Sequence, residues 1–369
     1  MHLKLFILAD ARSAHTIKWV NSLLDQGICI FLFSLSKYDK KNFTQTERLT
    51  IFSANFTDKI FDNSVWTKLI FLKVLPQIKR KIKEFSPDIL HAHYASSYGL
   101  LGALTFFKPF IISVWGTDIY NFPRNNLINR AVLKFSLSRA DKILSTSIAM
   151  GIETAKYTNN KIEITPFGVD VNKFTPTSKL EDSKHLLIGT VKTLEDQYGI
   201  DIFIRAYQIF RNNNKAINSK LLIVGGGSQR EILEKLTFDL GIKDETTFIN
   251  LVPYNEVVKY HNMIDIFVAV SREESYGVAV LESSSCGNPV IVSEVGGLPE
   301  VVKNNVTGLI VPKEDIKSTA LAIEKLVLNK RLRKELGRNG REHVLKNYNL
   351  ELCTQKMVLI YKEIMGKKK

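Results

Sequence analysis

The chain has 369 residues, of which 45% are hydrophobic and 24% are charged, a balance typical of globular proteins. Its length exceeds what one small core accommodates, so two domains are expected. Lysine and arginine outnumber aspartate and glutamate to give a net charge of +14, which favours anionic partners such as phosphorylated substrates or an anionic membrane surface. The three cysteines are widely spaced, which argues against a disulfide framework or a metal cluster and indicates a reduced, cytoplasmic setting.

Two further classes of protein are excluded by motif and hydropathy. The sequence contains no zinc-finger, helix-turn-helix or RNA-recognition pattern, so nucleic acid is not expected as a partner. The apolar residues 100–115 are interrupted by Lys108 and Pro109 and fall short of the roughly 20 residues that a membrane-spanning helix needs. The apolar run at the start of the chain is too short for a secretory signal and indicates a buried strand. We therefore expect a cytoplasmic protein that lies, at most, peripherally on the inner face of the cell membrane.

The chain begins with a βαβ pattern. Residues 3–9 predict a strand, residues 16–26 a helix and residues 28–35 a second strand. In folds of this kind the first loop between strand and helix holds phosphates, and here it offers Arg12 and Ser13 as candidate phosphate ligands. Because the loop lacks the G-x-G-x-x-G pattern, a dinucleotide site is not predicted in this half.

A basic helix follows a stretch without clear periodicity, residues 36–70. Residues 72–85 predict an amphipathic helix, because apolar residues recur along them at helical spacing. The cations of this segment are Lys73, Lys79, Arg80, Lys81 and Lys83. Two interpretations stay open: a basic face that rests on an anionic membrane, and an ordinary solvated helix face.

Two further strands of the first half end in polar residues. Residues 87–92 predict a buried strand that leads into His93, and residues 110–114 predict one that leads into a W-G-T-D turn ending at Asp118. Open α/β sheets bind ligands at the carboxyl ends of their strands, which makes both ends candidate ligand positions. His91 lies inside the apolar run and is interpreted as a core histidine. No third ligand is visible near the two histidines, so no metal site is predicted.

The remaining pattern alternates helices and strands. In the first half it predicts helices at 96–107, 125–140 and 148–157 and strands at 142–146 and 162–165. A polar run at 177–184 indicates a linker, and we place the domain boundary near residue 175. In the second half the predicted strands are 185–189, 221–227, 247–252, 264–270, 290–293 and 309–311. The predicted helices there are one that ends at 210 and those at 228–240, 254–263, 278–286, 316–328, 330–346 and 350–365.

The stretch at residues 271–289, SREESYGVAVLESSSCGNP, concentrates the chemistry of the second half. A short helix is predicted to begin at Gly277 and Val278, where free N–H groups and the positive end of the helix dipole favour an anion. Glu274 lies in the loop before this helix and Glu282 lies one turn inside it, so the two carboxylates bracket whatever binds there. A nucleotide-sugar fits this arrangement, with its diphosphate on the N–H groups, its ribose on Glu282 and its sugar on Glu274.

These motifs resemble a known family. The E-x7-E spacing from Glu274 to Glu282 encloses a glycine and is followed by CGNPVI and then by EVGGLPEVVKNNVTGLIVP. In this order they resemble the retaining glycosyltransferases of family 4, and the resemblance covers nearly the whole chain, most strongly residues 160–350. It implies an α/β fold of the GT-B architecture, with two doubly wound Rossmann-like domains facing across a cleft. It also implies that the C-terminal helix crosses back to the first domain.

The resemblance implies a role for each domain. Residues 1–175, together with the C-terminal helix at 350–369, would form the N-terminal acceptor-binding domain. Residues 176–349 would form the nucleotide-sugar-binding domain. The P-F-G-V-D segment at 166–170 resembles the crossover that joins the two domains in the family.

Catalytic roles are carried over from the family with one departure. The family often has His-Gly-x-Asp where this chain has residues 115–118, and its histidine lies beside the reacting sugar. Trp115 takes that place here. The resemblance therefore implies catalytic roles for Glu274 and Asp118, and His93, at the neighbouring strand end, is the candidate that covers part of the missing histidine's role.

The donor-binding residues are carried over with a second departure. The family usually clamps the donor diphosphate with an arginine and a lysine. Lys192 stands near the arginine position, whereas Tyr198 stands at the lysine position and is interpreted as packing. Arg272 is the candidate for the missing charge, and the backbone near Leu251 is where the family reads the base. The other predicted donor ligands are Gly277, Val278 and Glu282.

Together these observations predict a retaining glycosyltransferase. It would move a sugar from a UDP- or GDP-sugar to a glycan or lipid-phosphate-linked acceptor, without a metal or other required cofactor. The basic first half points to the synthesis of cell-surface polysaccharide or lipopolysaccharide. Two alternatives stay open. A sugar-nucleotide epimerase or a phosphorylase shares the architecture, and a non-catalytic nucleotide-sugar-binding protein is favoured by the departures at Trp115 and Tyr198.

Overall fold

The computed structural model describes residues 3–56, 70–177 and 185–366. The chain divides into two compact units. The first unit combines residues 1–167 with residues 351–369, and the second unit spans residues 168–350. The division falls at 167/168, whereas the sequence predicts a boundary near residue 175, and most of the predicted linker at 177–184 lies outside the described residues.

The first unit is built on a seven-stranded parallel sheet. The strands are β1 (Lys4–Leu8), β2 (Cys29–Ser36), β3 (Leu49–Phe56), β4 (Ile89–His93), β5 (Phe110–Val114), β6 (Lys142–Ser145) and β7 (Ile162–Ile164). They lie in the order β3-β2-β1-β4-β5-β6-β7, and β1 pairs with both β2 and β4, so that Phe6 lies beside Phe31 on one side and Leu90 on the other. The helices between them are α1 (Ala14–Asp25), α2 (Leu75–Phe85), α3 (Ser97–Thr105), α4 (Thr117–Tyr120), α5 (Leu127–Arg139) and α6 (Ile148–Ala155).

The second unit repeats this plan with six parallel strands. Its strands are β8 (Leu186–Val191), β9 (Ser219–Val224), β10 (Thr246–Ile249), β11 (Ile266–Ala269), β12 (Val290–Ser293) and β13 (Gly308–Val311), and they lie in the order β10-β9-β8-β11-β12-β13. Its helices are α7 (Ile200–Asn213), α8 (Arg230–Asp239), α9 (Val257–Met263), α10 (Val278–Ser285), α11 (Leu298–Val301), α12 (Ile316–Leu328) and α13 (Lys330–Asn347).

In each sheet the chain first adds strands toward one edge and then toward the other. The change occurs between β1 and β4 in the first unit and between β8 and β11 in the second. Right-handed crossovers on either side of such a reversal place helices on both faces of the sheet. The central strands are therefore covered on both sides and consist almost wholly of buried apolar residues, as in the run from Leu5 to Leu8. This confirms the predicted pair of doubly wound α/β domains. It also fixes two places where loops separate and leave room for a ligand.

The last helix, α14 (Leu350–Gly366), belongs to the first unit although it follows the second in sequence. Its Tyr361 hydroxyl lies 2.8 Å from Nδ1 of His91 in β4, and its Lys356 Nζ donates to the carbonyl oxygen of Ile164 in β7 at 2.7 Å. The predicted return of the C-terminal helix to the first domain is thereby confirmed.

One strand was not predicted. Residues 49–56 fall in the stretch that shows no clear periodicity, yet they form β3 at the edge of the first sheet. Their side chains are mostly half-buried, so the strand lacks the continuous apolar run that marks the central strands. Residues 57–69 lie outside the described part of the chain. Among the helices that the structure describes, none is both long and apolar enough to cross a membrane.

Candidate functional site

The predicted anion site lies at the start of α10, close to the point where the strand order of the second sheet reverses. Gly277 precedes the helix with φ 99°, a backbone conformation that favours glycine, and Val278 is the first helical residue. The N–H groups of Val280 and Leu281 donate to the Gly277 carbonyl oxygen at 3.1 and 3.2 Å. The preceding N–H groups, those of Gly277 and Val278, therefore stand at the positive end of the helix dipole.

A glycine turn fixes the backbone of Glu274 beside this helix. Gly297 N–H donates to the Glu274 carbonyl oxygen at 3.1 Å, and a Cβ atom on Gly296 would come within 1.8 Å of the same oxygen. Gly296 also has φ 51°. Only glycine allows this approach, so the turn at 296–297 positions the loop that carries Glu274.

Glu274 and Lys192 form an ion pair. The Lys192 Nζ donates to Oε2 of Glu274 at 2.5 Å, and the two side chains are only 15% and 8% exposed. Burial is the largest single influence and lowers the pKa of Lys192, but the charge of Glu274, together with the effects of Tyr198, the hydrogen bond to Glu274 and the charge of Glu282, holds that pKa above its usual value. The structure thus brings together the cation that follows β8 and the carboxylate that follows β11.

The ring of Tyr198 completes this cluster. Its centroid lies 4.2 Å from the Lys192 Nζ, a cation–π contact. Tyr198 ends a short 3-10 turn, and the carbonyl oxygen of Gln197 in that turn accepts from the N–H groups of Arg272 and Glu273 at 2.8 and 3.1 Å. The sequence predicts that Tyr198 serves as packing only, and the structure adds that its ring face contacts the ammonium.

Glu282 is held by residues that the sequence analysis missed. It is 5% exposed, and its Oε1 accepts from the Tyr254 hydroxyl at 2.9 Å. The Lys173 Nζ lies 4.1 Å from the Tyr254 ring centroid and donates to the Tyr254 carbonyl oxygen, and His261 Nε2 lies 3.7 Å from Oε2 of Glu282. Burial, followed by the charge of Glu282, raises the pKa of Tyr254 above its usual range, so the hydroxyl keeps its proton. Motif spacing carries no signal for these three residues.

Arg272 is turned toward other protein groups. Its Nη1 and Nη2 donate to both carboxylate oxygens of Asp201 at 2.8 Å each, and its Nε donates to Glu314 at 3.0 Å. Such a bidentate arrangement holds the loop after β11 against the start of α7. A contact with a donor phosphate stays a prediction, as does the reading of the base near Leu251, a side chain that is 75% exposed after β10.

In the first unit, Asp118 braces two loops. Its Oδ2 accepts from the Ala95 N–H at 2.8 Å, and its Oδ1 accepts from the N–H groups of Trp115 and Gly116 at 3.2 and 2.9 Å. Burial raises the pKa of this carboxyl, and the three backbone donors oppose that rise. The observed contacts join the loops after β4 and β5, while the predicted catalytic role is not tested by them.

His93 lies beside this brace. Its ring centroid is 4.3 Å from that of Trp115, and its Nδ1 has no hydrogen-bond partner among the described residues. Burial lowers its pKa well below the usual value, with smaller effects from His91 and His15, so the ring is neutral near pH 7. His91 is hydrogen-bonded on both nitrogens, to Tyr361 and Ser113, as expected of a core histidine. Its environment and that of His93 were not evident from the sequence beyond their strand positions.

The first loop of the chain holds the remaining candidates. Arg12 is exposed and forms an ion pair with Asp10 at 2.9 Å, while Ser13 occupies the N-cap position of α1 without a capping bond from its side chain. A phosphate role for either stays a prediction. Across the described ranges, no three or more histidine, cysteine, aspartate or glutamate side chains are grouped so that they could hold a metal ion.

Comparison with protein families gives two matches. The model described as glycosyl transferases group 1 matches residues 172–343, and the model described as glycosyl transferase 4-like matches residues 4–147. An uncharacterized glycosyltransferase from Methanocaldococcus jannaschii is 28% identical over 292 residues, which are 78% of either chain.

The name of a second relative states its sugar donor and its acceptor. The GDP-mannose-dependent alpha-(1-6)-phosphatidylinositol monomannoside mannosyltransferase of Mycobacterium tuberculosis is 31% identical over 211 residues, 53% of this chain and 54% of that one. Several of the curated relatives are matched over only about half of their length.

Solved structures resemble the whole chain. Sucrose-phosphate synthase from Thermosynechococcus elongatus superposes with a TM-score of 0.84 at 19% identity, over 99% of this chain and 100% of that one. Anabaena HepE in complex with UDP-glucose gives 0.78 at 16% identity, over 98% and 100%. WaaG, a glycosyltransferase involved in lipopolysaccharide biosynthesis, gives 0.74 at 13% identity, over 97% and 99%. At these identities the likeness is one of fold.

Proposed function

We propose that this chain, which belongs to the group 1 glycosyltransferases and has the GT-B fold, is a retaining enzyme of family 4 that transfers a sugar from a UDP- or GDP-sugar to a glycan or lipid-phosphate-linked acceptor. Both family matches and the fold support the transferase activity. The choice between UDP and GDP rests on the relatives: HepE was solved with UDP-glucose, and the mycobacterial relative is named for GDP-mannose.

One observation carries the proposal: Lys192, Glu274 and Glu282 gather around the start of α10 in the second unit. We propose that the donor diphosphate lies on the N–H groups of Gly277 and Val278 with Lys192 beside it. Negative charge grows on the bridging oxygen as the glycosidic bond breaks, and donors fixed in advance around that oxygen stabilise the transition state most. The ribose then meets Glu282, and the sugar meets Glu274.

The stereochemical course is part of the proposal. Family membership supports retention of the anomeric configuration, by attack of the acceptor hydroxyl on the face from which the diphosphate leaves, through a short-lived oxocarbenium-like species. Exclusion of water from the site would suppress hydrolysis of the donor. The sugar hydroxyls contacted by Glu274 would hold the ring in place while the bond changes.

We assign acceptor binding to the first unit. The carboxyl ends of β4 and β5 carry His93 and, through the turn that Asp118 braces, Trp115. We propose that the neutral His93 faces the acceptor side of the reaction and that Asp118 acts by holding the turn in shape. The basic face of α2 supports a lipid-phosphate-linked acceptor at an anionic membrane surface and a place in cell-surface polysaccharide or lipopolysaccharide synthesis.

A second candidate function is a non-catalytic nucleotide-sugar-binding protein. Trp115 is buried where a histidine is common in the family, and the ring of Tyr198 stands where a lysine is common. Nucleotide binding without transfer to any of a broad panel of acceptors would favour this function. Turnover of a nucleotide-sugar in the absence of an acceptor would favour an epimerase.

The experiment starts with a thermal-shift screen of UDP-, GDP- and ADP-sugars and continues with transfer assays on three variants. We expect Glu282→Ala to weaken donor binding and Glu274→Ala to reduce turnover far more than affinity. Glu273→Ala is the matched control, because this neighbouring side chain is exposed. Full activity of both Glu274→Ala and Glu282→Ala would show that the site lies elsewhere.

A further inference from the structure

Lys192 and Glu274 are each other's ion-pair partner in the structure. Their 2.5 Å ion pair is nearly shielded from solvent, with exposed fractions of 15% and 8%, and the Tyr198 ring lies 4.2 Å from the same ammonium. These are the two side chains to which the proposed function assigns opposite ends of the donor, the diphosphate for Lys192 and the sugar for Glu274. A donor diphosphate therefore competes with Glu274 for the ammonium of Lys192.

The donor and the product diphosphate differ in what they offer this pair. A nucleotide-sugar supplies phosphate oxygens for Lys192 and hydroxyl donors for Glu274, so each member exchanges one partner for another. A nucleoside diphosphate supplies only the phosphate oxygens. If Lys192 turns to it, Glu274 keeps its charge in a poorly solvated position without a cation, which is costly. If Lys192 stays on Glu274, the diphosphate loses a cation.

We propose that the Lys192–Glu274 ion pair makes the site discriminate between a nucleotide-sugar and the nucleoside diphosphate that remains after transfer. The inference rests on the proposed function, because it takes the start of α10 as the diphosphate site. Its consequence is that the same residues bind the nucleoside diphosphate more weakly than the nucleotide-sugar, so that the diphosphate dissociates after each transfer.

Tyr198 is a positioning residue for the Lys192–Glu274 ion pair. The turn that carries it is bonded through Gln197 to the N–H groups of Arg272 and Glu273, so the ring and Glu274 are parts of one connected loop structure. The face of a ring attracts an ammonium but, unlike a second carboxylate, brings no full negative charge that would repel the incoming diphosphate. The ring thus keeps Lys192 near both of its alternative partners.

The test is isothermal titration calorimetry on the wild-type chain and Glu274→Gln. The probes are UDP, GDP and ADP, each compared with UDP-glucose, GDP-mannose and ADP-glucose. We expect the wild type to bind the nucleotide-sugar more tightly than the matching diphosphate. We expect Glu274→Gln to bind the diphosphate about tenfold more tightly than the wild type does, because Lys192 is released from a buried partner. The affinity of Glu274→Gln for the nucleotide-sugar is expected not to rise.

Glu273→Gln is the matched control, since it removes the same charge from the adjacent, exposed position, and it is expected to change neither affinity. A diphosphate affinity that is unchanged or weaker in Glu274→Gln overturns the inference while leaving the proposed function in place. So does a wild type that binds the diphosphate as tightly as the nucleotide-sugar, a comparison that needs no variant to fold. Failure of all six probes to bind the wild type overturns the proposed function as well.

Discussion

The hydroxyl of Tyr254 helps to orient Glu282. The Tyr254 hydroxyl donates to it at 2.9 Å and, with its raised pKa, stays protonated across the physiological range. We predict that Tyr254→Phe weakens donor binding about fivefold, the effect of losing roughly 1 kcal/mol of hydrogen bonding, with little change in turnover at saturating donor. Titration calorimetry and steady-state kinetics measure the two effects. Tyr260→Phe, in α9, is the control, and equal effects of both variants would contradict the role of Tyr254.

His91 makes the first unit sensitive to acid. Burial lowers its pKa to about 3, whereas a histidine in the unfolded chain has a pKa of about 6.5. Between these values the unfolded chain binds a proton that the folded chain does not, so stability is fully present above pH 6.5 and is lost as the pH falls toward 3. We predict that the free energy of unfolding falls by about 1 kcal/mol per pH unit below 6.5 from this residue.

Urea unfolding at pH 7 and pH 5 measures this loss for the wild type and for His91→Gln. The variant is expected to be less stable at pH 7, because it gives up bonds to Tyr361 and Ser113, and to show a shallower fall toward pH 5. His93 has a lowered pKa as well and keeps part of the acid sensitivity in both proteins. Parallel pH profiles would show that His91 does not contribute.

At the scale of single residues, the sequence predicts positions better than partners. His93 and Lys192 lie at the ends of β4 and β8, and Asp118 and Glu274 lie in the segments that follow β5 and β11. These positions were predictable because the alternation of strands and helices is legible in the sequence. The partners are a matter of three-dimensional packing. Tyr254 reaches Glu282 across 28 residues of chain. Asp118 resembles a catalytic carboxylate in sequence, yet its oxygens are turned toward three backbone donors.

The start of α10 is an element whose geometry depends on glycine. Gly277 has φ 99°, and a Cβ atom there would lie 2.8 Å from Cδ2 of Leu298. We predict that Gly277→Ala lowers the free energy of unfolding by about 1–3 kcal/mol and weakens nucleotide binding, because relief of strain moves the N–H groups that receive the diphosphate. Gly241→Ala is the control, since Gly241 also has positive φ but has no atom within 4 Å of the added carbon. Nucleotide binding that is equal in both variants would argue against a site at this helix.

Helix α2 tests the membrane proposal at the same scale. Ile78 and Ile82 are buried, while the basic residues lie on the other face, where Lys81 is paired with Glu84 at 2.7 Å. We predict that glutamine at the four positions 79, 80, 81 and 83 lowers binding to vesicles rich in anionic phosphatidylserine by more than about tenfold, since each basic residue near such a surface contributes roughly 1 kcal/mol. Vesicle sedimentation measures the binding.

The chain offers a control of equal charge. The α13 cations Lys330, Arg331, Lys334 and Arg338 lie together in the second unit, and glutamine at these four positions removes the same formal charge. Their replacement is expected to leave vesicle binding nearly unchanged. Equal losses in the two quadruple variants would mean that net charge alone governs the interaction, and unchanged binding of the α2 variant would leave its basic face as a solvated surface.

Among the described strands, the weakly patterned β3 escaped prediction, and among the described helices the four-residue α4 and α11 did. Central strands of a parallel sheet are buried on both faces and appear in the sequence as apolar runs, which made β1, β4, β5 and β12 predictable. An edge strand with half-buried side chains shows neither a continuous run nor strict alternation. Helix ends were displaced by a few residues, because caps depend on the local backbone and fray at the termini.

At the scale of the whole molecule, the two units differ in how they are encoded. The second is continuous in sequence, from residue 168 to residue 350, whereas the first needs residues 351–369 to complete it. We predict that a fragment spanning 168–350 folds cooperatively by itself and binds the nucleotide identified in the donor screen. We predict that residues 1–167 alone do not, because α14 residues Met357, Ile360 and Tyr361 are buried in the folded chain.

Circular dichroism and urea unfolding of the two fragments measure these outcomes. Addition of a synthetic peptide spanning 350–366 to the 1–167 fragment is the complementary experiment, and it is expected to restore a cooperative transition. A matched peptide with Tyr361→Ala and Met357→Ala is the control. A stable, cooperative 1–167 fragment without any peptide would contradict the structural role of α14.

The return of α14 to the first unit also sets an order of events during translation. Residues 351–366 leave the ribosome only after the entire second unit has been made, so the half of the protein that is synthesised first is the half that is completed last. Until then the surface that receives Tyr361 is uncovered in the nascent chain and available to chaperones. A premature stop codon just after residue 350 would therefore release a folded second unit attached to an incompletely folded first unit. Cellular proteases would then cleave the chain in its amino-terminal half.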